Sequence, residues 1–149
     1  LKRAIKTSWL VLDETDQCHV EENHSWQLNE RFFGNLVGKT GSEADLTFGK
    51  ENVVHWQKSY SERPPSMPKH SSLYPGNKRQ YTNITVPTSE CMADVEMRVS
   101  ELWETVLKKR VLKGEKLLIC AHAICLKSLF KYLNDISEDE AVKVKIPRC

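Results

Sequence analysis

His122 stands directly after the apolar run Leu117–Ala121 and directly before a helical pattern carried by Leu126, Leu129, Phe130 and Leu133. In open α/β sheets, ligands bind beyond the carboxyl ends of strands, and a helix N-terminus there offers free amide donors to an anion. A phosphate site is the chemistry this placement suggests, set against the plainer reading of a buried histidine satisfied by its neighbours. A second candidate is Asn29-Glu30-Arg31, an acid beside a base, flanked by Trp26 and Phe32-Phe33. Glu30 is suited to proton transfer, and Arg31 supplies the planar fork that grips phosphate or carboxylate. The alternative is a surface ion pair. Arg3, Arg79 and Lys108–Arg110 are most simply solvated cations, and Glu90 a helix N-terminal acid.

The elements that must position these residues follow from periodicity. Ala4, Ile5, Trp9 and Leu12 predict a helix over Leu1–Leu12, with Asp13 and Asp16 as stop residues. A short extended piece around Cys18–Glu22 precedes Trp26–Gly38, which reads mostly as loop punctuated by Gly34 and Gly38. Val53, Trp56 and Tyr60 suggest a short helix over Asn52–Tyr60, closed by Arg63-Pro64-Pro65. Residues 61–88 lack periodicity and form a long excursion, either ordered or a mobile lid. Met92–Arg110 is the strongest helix, with Val95, Val99, Leu102, Trp103 and Val106 on one face. Leu117–Ala121 then reads as a buried parallel strand. Ser137 and Glu140 have capping-box spacing, and Val142–Ile146 reads as extended. Helix, strand, helix predicts an α/β fold with a mostly parallel sheet and helices on both faces, in a single domain over 1–149.

Composition excludes more than it selects. With 22 basic against 20 acidic residues, 40% hydrophobic and 28% charged, the chain is that of a globular domain with no electrostatic pull toward nucleic acid. The longest apolar run is far too short to span a bilayer, so no membrane partner and a cytoplasmic location are expected. The five cysteines, widely and irregularly spaced without a C-x-x-C pair, suggest reduced thiols and neither a disulfide framework nor a metal site. The chain begins without Met inside an amphipathic pattern and ends as an apolar segment starts, so both ends are expected to be cut.

Taken in order, Leu1-Lys2-Arg3-Ala4-Ile5-Lys6-Thr7, Trp26 through Gly38, Trp56 through Pro64-Pro65, Pro87-Thr88-Ser89-Glu90, Trp103, Gly114, Ala121-His122, Lys131-Tyr132-Leu133 and Ile146-Pro147 resemble successive blocks of one family. It is the cofactor-dependent phosphoglycerate mutases and bisphosphoglycerate mutases of the histidine phosphatase superfamily. The Leu28-Asn29-Glu30-Arg31 block with its flanks is highly specific, whereas Ala-His alone would be weak. The resemblance implies interconversion of 2- and 3-phosphoglycerate in glycolysis through a phosphohistidine, with 2,3-bisphosphoglycerate as phosphoryl primer, a small phosphorylated substrate, no metal, and a homodimer by family analogy. It makes Glu30 the proton donor and acceptor, and His122 the second active-site histidine. Arg3, Arg31, Phe33, Lys58 and Ala123 become substrate or phosphate contacts.

The sequence departs from that pattern in several places. No Arg-His-Gly, the motif of the phosphate-accepting histidine, occurs in the 149 residues. The resemblance therefore implies an incomplete mutase-like domain lacking the N-terminal strand and the C-terminal segment. Such a chain is expected to be poorly stable, with unpaired strand edges and an exposed apolar slot. Phe32 stands where the family usually has His, Gly41 where a lysine is expected, and Gln57 and Lys58 at an Arg-Arg pair. Ala123-Ile124-Cys125 replace Gly-Asn-Ser. Two readings stay open, a mutase seen in part and a catalytically inactive copy keeping at most anion or partner binding. A phosphatase of the same superfamily is a third.

Overall fold

The computed structural model describes residues 1–147. Helix α1 (Lys2–Glu14) turns Ala4 inward and leaves Trp9 and Leu10 largely exposed. A loop with two single 3₁₀ turns, Trp26–Leu28 and Gly34–Leu36, leads to α2 (Gly41–Phe48) and α3 (Lys50–Lys58). Helix α2 is absent from the sequence expectation, although Thr40-x-x-Glu43 signals its start. The Thr40 hydroxyl accepts the Glu43 amide, and the Glu43 carboxylate accepts the Thr40 amide. Gly34 is required where it stands. Its φ is +55°, and a Cβ there would collide with the carbonyl oxygen of Pro65, which accepts the Asn35 amide at 2.8 Å.

The predicted long helix is one rod in three parts: α4 (Met92–Leu102), a wider π-helical stretch (Trp103–Leu107) and α5 (Lys108–Leu112). Helix α6 (Ala123–Asn134) packs on α4, and α7 (Glu138–Lys143) starts at the expected Ser137/Glu140 capping box. Val95 and Val99 of α4 and Cys125 and Leu129 of α6 form the core, with Leu28, Trp103, Ile119 and Ile124 packed against it. Burying an aliphatic side chain of this size stabilises by roughly 1.5–3 kcal/mol, so this seam carries the fold. Lys131 ties it at the side, donating to Glu96 Oε1 at 3.1 Å, while the Tyr60 hydroxyl donates to Glu96 Oε2 at 2.7 Å.

The expected parallel sheet is not there. Among the described residues every regular element is helical, and no strand is paired. Leu117–Ala121 has no regular structure, no backbone hydrogen bond joins it to another segment among the described residues, and Leu118 is 63% exposed. The physical reason is that a strand exists only by pairing, and among the described residues no backbone hydrogen bond joins it to the turn at Cys18–Val20 or to residues 144–147. An apolar groove of about 370 Å³ runs beside it, with Ile5, Leu12, Leu28 and Leu107 among its walls. Residues 61–88 are tied by their own contacts. The Tyr74 hydroxyl donates to the Val86 carbonyl, the Met67 amide to Thr88 at 2.9 Å, and Asn77 to the Lys69 carbonyl at 2.8 Å. No helix among the described residues is long and apolar enough to cross a membrane.

Candidate functional site

A cleft of about 490 Å³ opens between α1, the Trp26–Val37 loop and the 61–88 excursion. Arg3, Glu30, Arg31, Phe32 and Phe33 all line it. Each arrives by a different local cause. The loop that presents residues 26–33 is too irregular to satisfy its own backbone, and Arg98 of α4 does this from below. It donates to the carbonyls of Gln27 at 2.5 Å and Asn29 at 2.9 Å. Its Nε donates to Glu90 Oε1 at 2.8 Å, and Glu90 Oε2 accepts the Phe32 amide at 2.9 Å. The Glu90 amide in turn donates to the Phe32 carbonyl at 2.8 Å. Both side chains of this pair are over nine-tenths buried, a costly arrangement unless every donor is used, and here they are used on the loop.

Arg31 is 3% exposed, deeper than any other cleft arginine. One terminal nitrogen donates to the Trp56 carbonyl at 2.6 Å, satisfying one of the last carbonyls of α3, and the guanidinium lies 4.2 Å from the Phe33 ring centroid. Its Nε is buried and has no partner among the described residues. Burial pulls the Arg31 pKa down, opposed by the nearby carboxylates of Glu30 and Glu90. Glu30 Oε1 accepts the Arg31 amide at 3.0 Å.

His122 is the N-cap of α6 and is 6% exposed. It does not line the cleft but lies behind Arg3, whose Nε–H donates to His122 Nδ1 at 3.0 Å. That contact requires an unprotonated Nδ1, so the ring is neutral with its proton on Nε2, which is buried and likewise unpartnered among the described residues. Burial first, then the Arg3 charge, depress the His122 pKa from 6.5 to about 4.

The remaining predicted positions lie elsewhere. Ala123, exposed, and Ile124, packed on the core, follow His122 in the first turn of α6 and do not line the cleft. Gln57 and Lys58 are exposed at the end of α3, because Val53 and Trp56 take its inner face. Gly41 opens α2 with nothing within 4 Å of where a Cβ would stand. No group of three metal-binding side chains occurs among the described residues. The structure adds Lys78 and Tyr81 from the excursion, the latter accepting a hydrogen bond from Asn29 Nδ2 at 3.0 Å. It also adds the Glu90–Arg98 pair. Arg98 had a signal: it falls between Val95 and Leu102 on the buried face of α4, where an arginine must find partners. Lys78 and Tyr81 had none, since nothing local aims the excursion at the loop.

The cleft thus joins a buried cation with an unpartnered donor to an acid on the same loop, with a neutral buried histidine behind Arg3. The sequence profile of the histidine phosphatase superfamily (branch 1) matches residues 1–149. The chain belongs to that superfamily. Members of the histidine phosphatase superfamily are typically phosphatases or mutases, so the family points to phosphoryl transfer.

Proposed function

We propose that the cleft binds a phosphate monoester and that the chain derives from the phosphoglycerate mutase branch of the superfamily, acting on 2- and 3-phosphoglycerate. The observation that carries the reading is Arg31, a buried guanidinium on the wall of a cleft with four cations against two carboxylates, whose Nε has no partner among the described residues. An unmet buried donor costs about 1–3 kcal/mol, and a phosphate oxygen is the acceptor that would remove that cost. In this reading Arg31 and Arg3 hold the phosphate, His122 holds the Arg3 guanidinium in place through Nδ1, and Glu30 moves the substrate proton. The primer implied by the resemblance, 2,3-bisphosphoglycerate, supplies a phosphoryl group when bound, and Arg3, Arg31 and Lys78 are the side chains that would hold its anionic ends.

The second reading, binding without turnover, rests on the missing Arg-His-Gly and on Gly41, Gln57 and Lys58 standing outside the cleft. No remaining histidine has the position of a phosphoryl carrier. The 149-residue chain is therefore expected to bind phosphoglycerate and not to isomerise it. The test is an assay with 3-phosphoglycerate and catalytic 2,3-bisphosphoglycerate beside a calorimetric titration. Turnover above a matched blank that disappears in His122→Ala would overturn the second reading for this chain. Absence of any binding by inorganic phosphate or 3-phosphoglycerate would overturn the anion site itself.

A further inference from the structure

The cations that line the cleft and are not paired within it stand on two different parts of the chain. Glu90 and Arg98 satisfy each other, Arg3 and Arg31 belong to α1 and the Trp26–Val37 loop, and Lys78 comes from the 61–88 excursion. Lys78 is exposed, and no carboxylate pairs with it among the described residues. Tyr81 shares its turn. The Tyr81 amide donates to the Lys78 carbonyl at 2.9 Å, closing a single 3₁₀ turn, and both residues line the cleft. The Tyr81 hydroxyl also has a proton to give. Its oxygen accepts Asn29 Nδ2 at 3.0 Å, and the orientation of that amide is set from its other end, where Asn29 Oδ1 accepts the Leu1 nitrogen, which can only donate, at 2.8 Å. Asn29 therefore presents N–H to Tyr81, and the Tyr81 O–H meets no acceptor among the described residues. An ammonium and a hydroxyl donor on one turn match a group with a single negative charge spread over two acceptor oxygens, which is a carboxylate. A neutral hydroxyl would leave the ammonium uncompensated, and a second phosphate would bring more charge than Lys78 offsets.

We propose that Lys78 and Tyr81 form a second anion subsite of the cleft, one that selects phosphate monoesters bearing a carboxylate. The proposal rests on the reading of the cleft as a phosphate-monoester site and assigns its specificity to the excursion. A ligand held at its phosphate by Arg3 and Arg31 and at its carboxylate by Lys78 and Tyr81 bridges two parts of the chain, so its binding ties down the turn at 78–81. Inorganic phosphate has no second group with which to reach that turn.

The experiment is calorimetric titration of the 149-residue chain with 3-phosphoglycerate, with glycerol 3-phosphate, in which a hydroxymethyl group replaces the carboxylate, and with inorganic phosphate. The expected result is that 3-phosphoglycerate binds at least about tenfold more tightly than either of the others. Tyr81→Phe, which removes one oxygen, and Lys78→Met should each cut that preference by about threefold or more while leaving inorganic phosphate within about twofold. Limited trypsin digestion of the wild type adds a readout that needs no variant. Lys78 and Arg79 are exposed, and 3-phosphoglycerate should slow cleavage after them, whereas glycerol 3-phosphate and inorganic phosphate at equal occupancy should not. A preference near one, a preference that either variant leaves unchanged, or equal cleavage with all three ligands would each overturn the second subsite and leave the phosphate site standing. Binding by none of the three would overturn both.

Discussion

Two buried arginines approach the Trp26–Phe33 loop from different sides, and they are used differently. Arg98 comes from α4, and its donors meet Glu90 and the carbonyls of the loop. Arg31 belongs to the loop itself, caps α3 through Trp56, stacks on Phe33, and leaves Nε unmatched among the described residues. Both are charged and nearly sealed from water, at 6% and 3% exposure. A buried charge whose donors are all engaged organises its surroundings, whereas one with a donor left over is directed at something that is not part of the fold. In the proposed reading Arg98 is the scaffold of the site and Arg31 its ligand-binding member.

The largest expected effect tests the scaffold half. Arg98→Met strands Glu90 in the interior and frees three loop carbonyls, so unfolding by urea should show a loss of about 3–5 kcal/mol. A loss below about 1 kcal/mol would place Arg98 on the same footing as a surface cation. Arg31→Gln removes a carbonyl contact and a stacked ring but also the unmatched donor, so its cost should be smaller, about 1–2 kcal/mol. Equal costs would erase the distinction.

His122 sharpens the same contrast through pH. Its pKa in the folded chain, about 4, lies below the ordinary 6.5. The unfolded chain therefore takes up a proton as pH falls through 6.5 while the folded chain does not until near 4. Stability contributed by neutral His122 is fully present above 6.5 and is lost between 6.5 and 4, by about 1–2 kcal/mol once screening on the open side of Arg3 is allowed for. His122→Asn should flatten that window in stability measured against pH. The smallest effect belongs to the surface. Arg63 meets Asp94 at 2.5 Å and, more than any other cause, holds that carboxyl down at about 2, but it is 60% exposed. Arg63→Ala should cost less than about 1 kcal/mol in the same urea titration.

What could be read from the sequence was what local pattern determines. Helices over Ala4–Leu12, Val95–Val106 and Leu126–Leu133, and the cap at Ser137, depend on spacing within a few residues and stand where they were expected, although Trp9, Val106, Phe130 and Leu133 of the expected apolar faces are exposed. The sheet failed because pairing is a relation between distant segments: Leu117–Ala121 has the composition of a buried strand and no neighbour to make it one. Helix α2 had its signal in Thr40 and Glu43. The site divides in the same way. Glu30 and Arg31 were visible as an unusual pair in an aromatic loop, and His122 by its place before α6. Lys78, Tyr81 and the partnership of Glu90 with Arg98 depend on tertiary approach, for which only the arginine within an apolar helix face gave a local clue.

The claim that Arg31 is ligand-directed and Arg98 structural is tested most directly by thermal unfolding of the wild-type chain and of Arg31→Gln, each with and without saturating inorganic phosphate. A ligand that binds only the folded state stabilises it by RT ln(1 + [L]/Kd), about 2.7 kcal/mol at a hundred times its Kd, and so raises the melting temperature. The account predicts a clear phosphate-dependent rise for the wild type and at most a small one for Arg31→Gln, even though the variant still melts cooperatively. An equal rise in both would contradict it, because the phosphate would then be held without the donor on which the site is built.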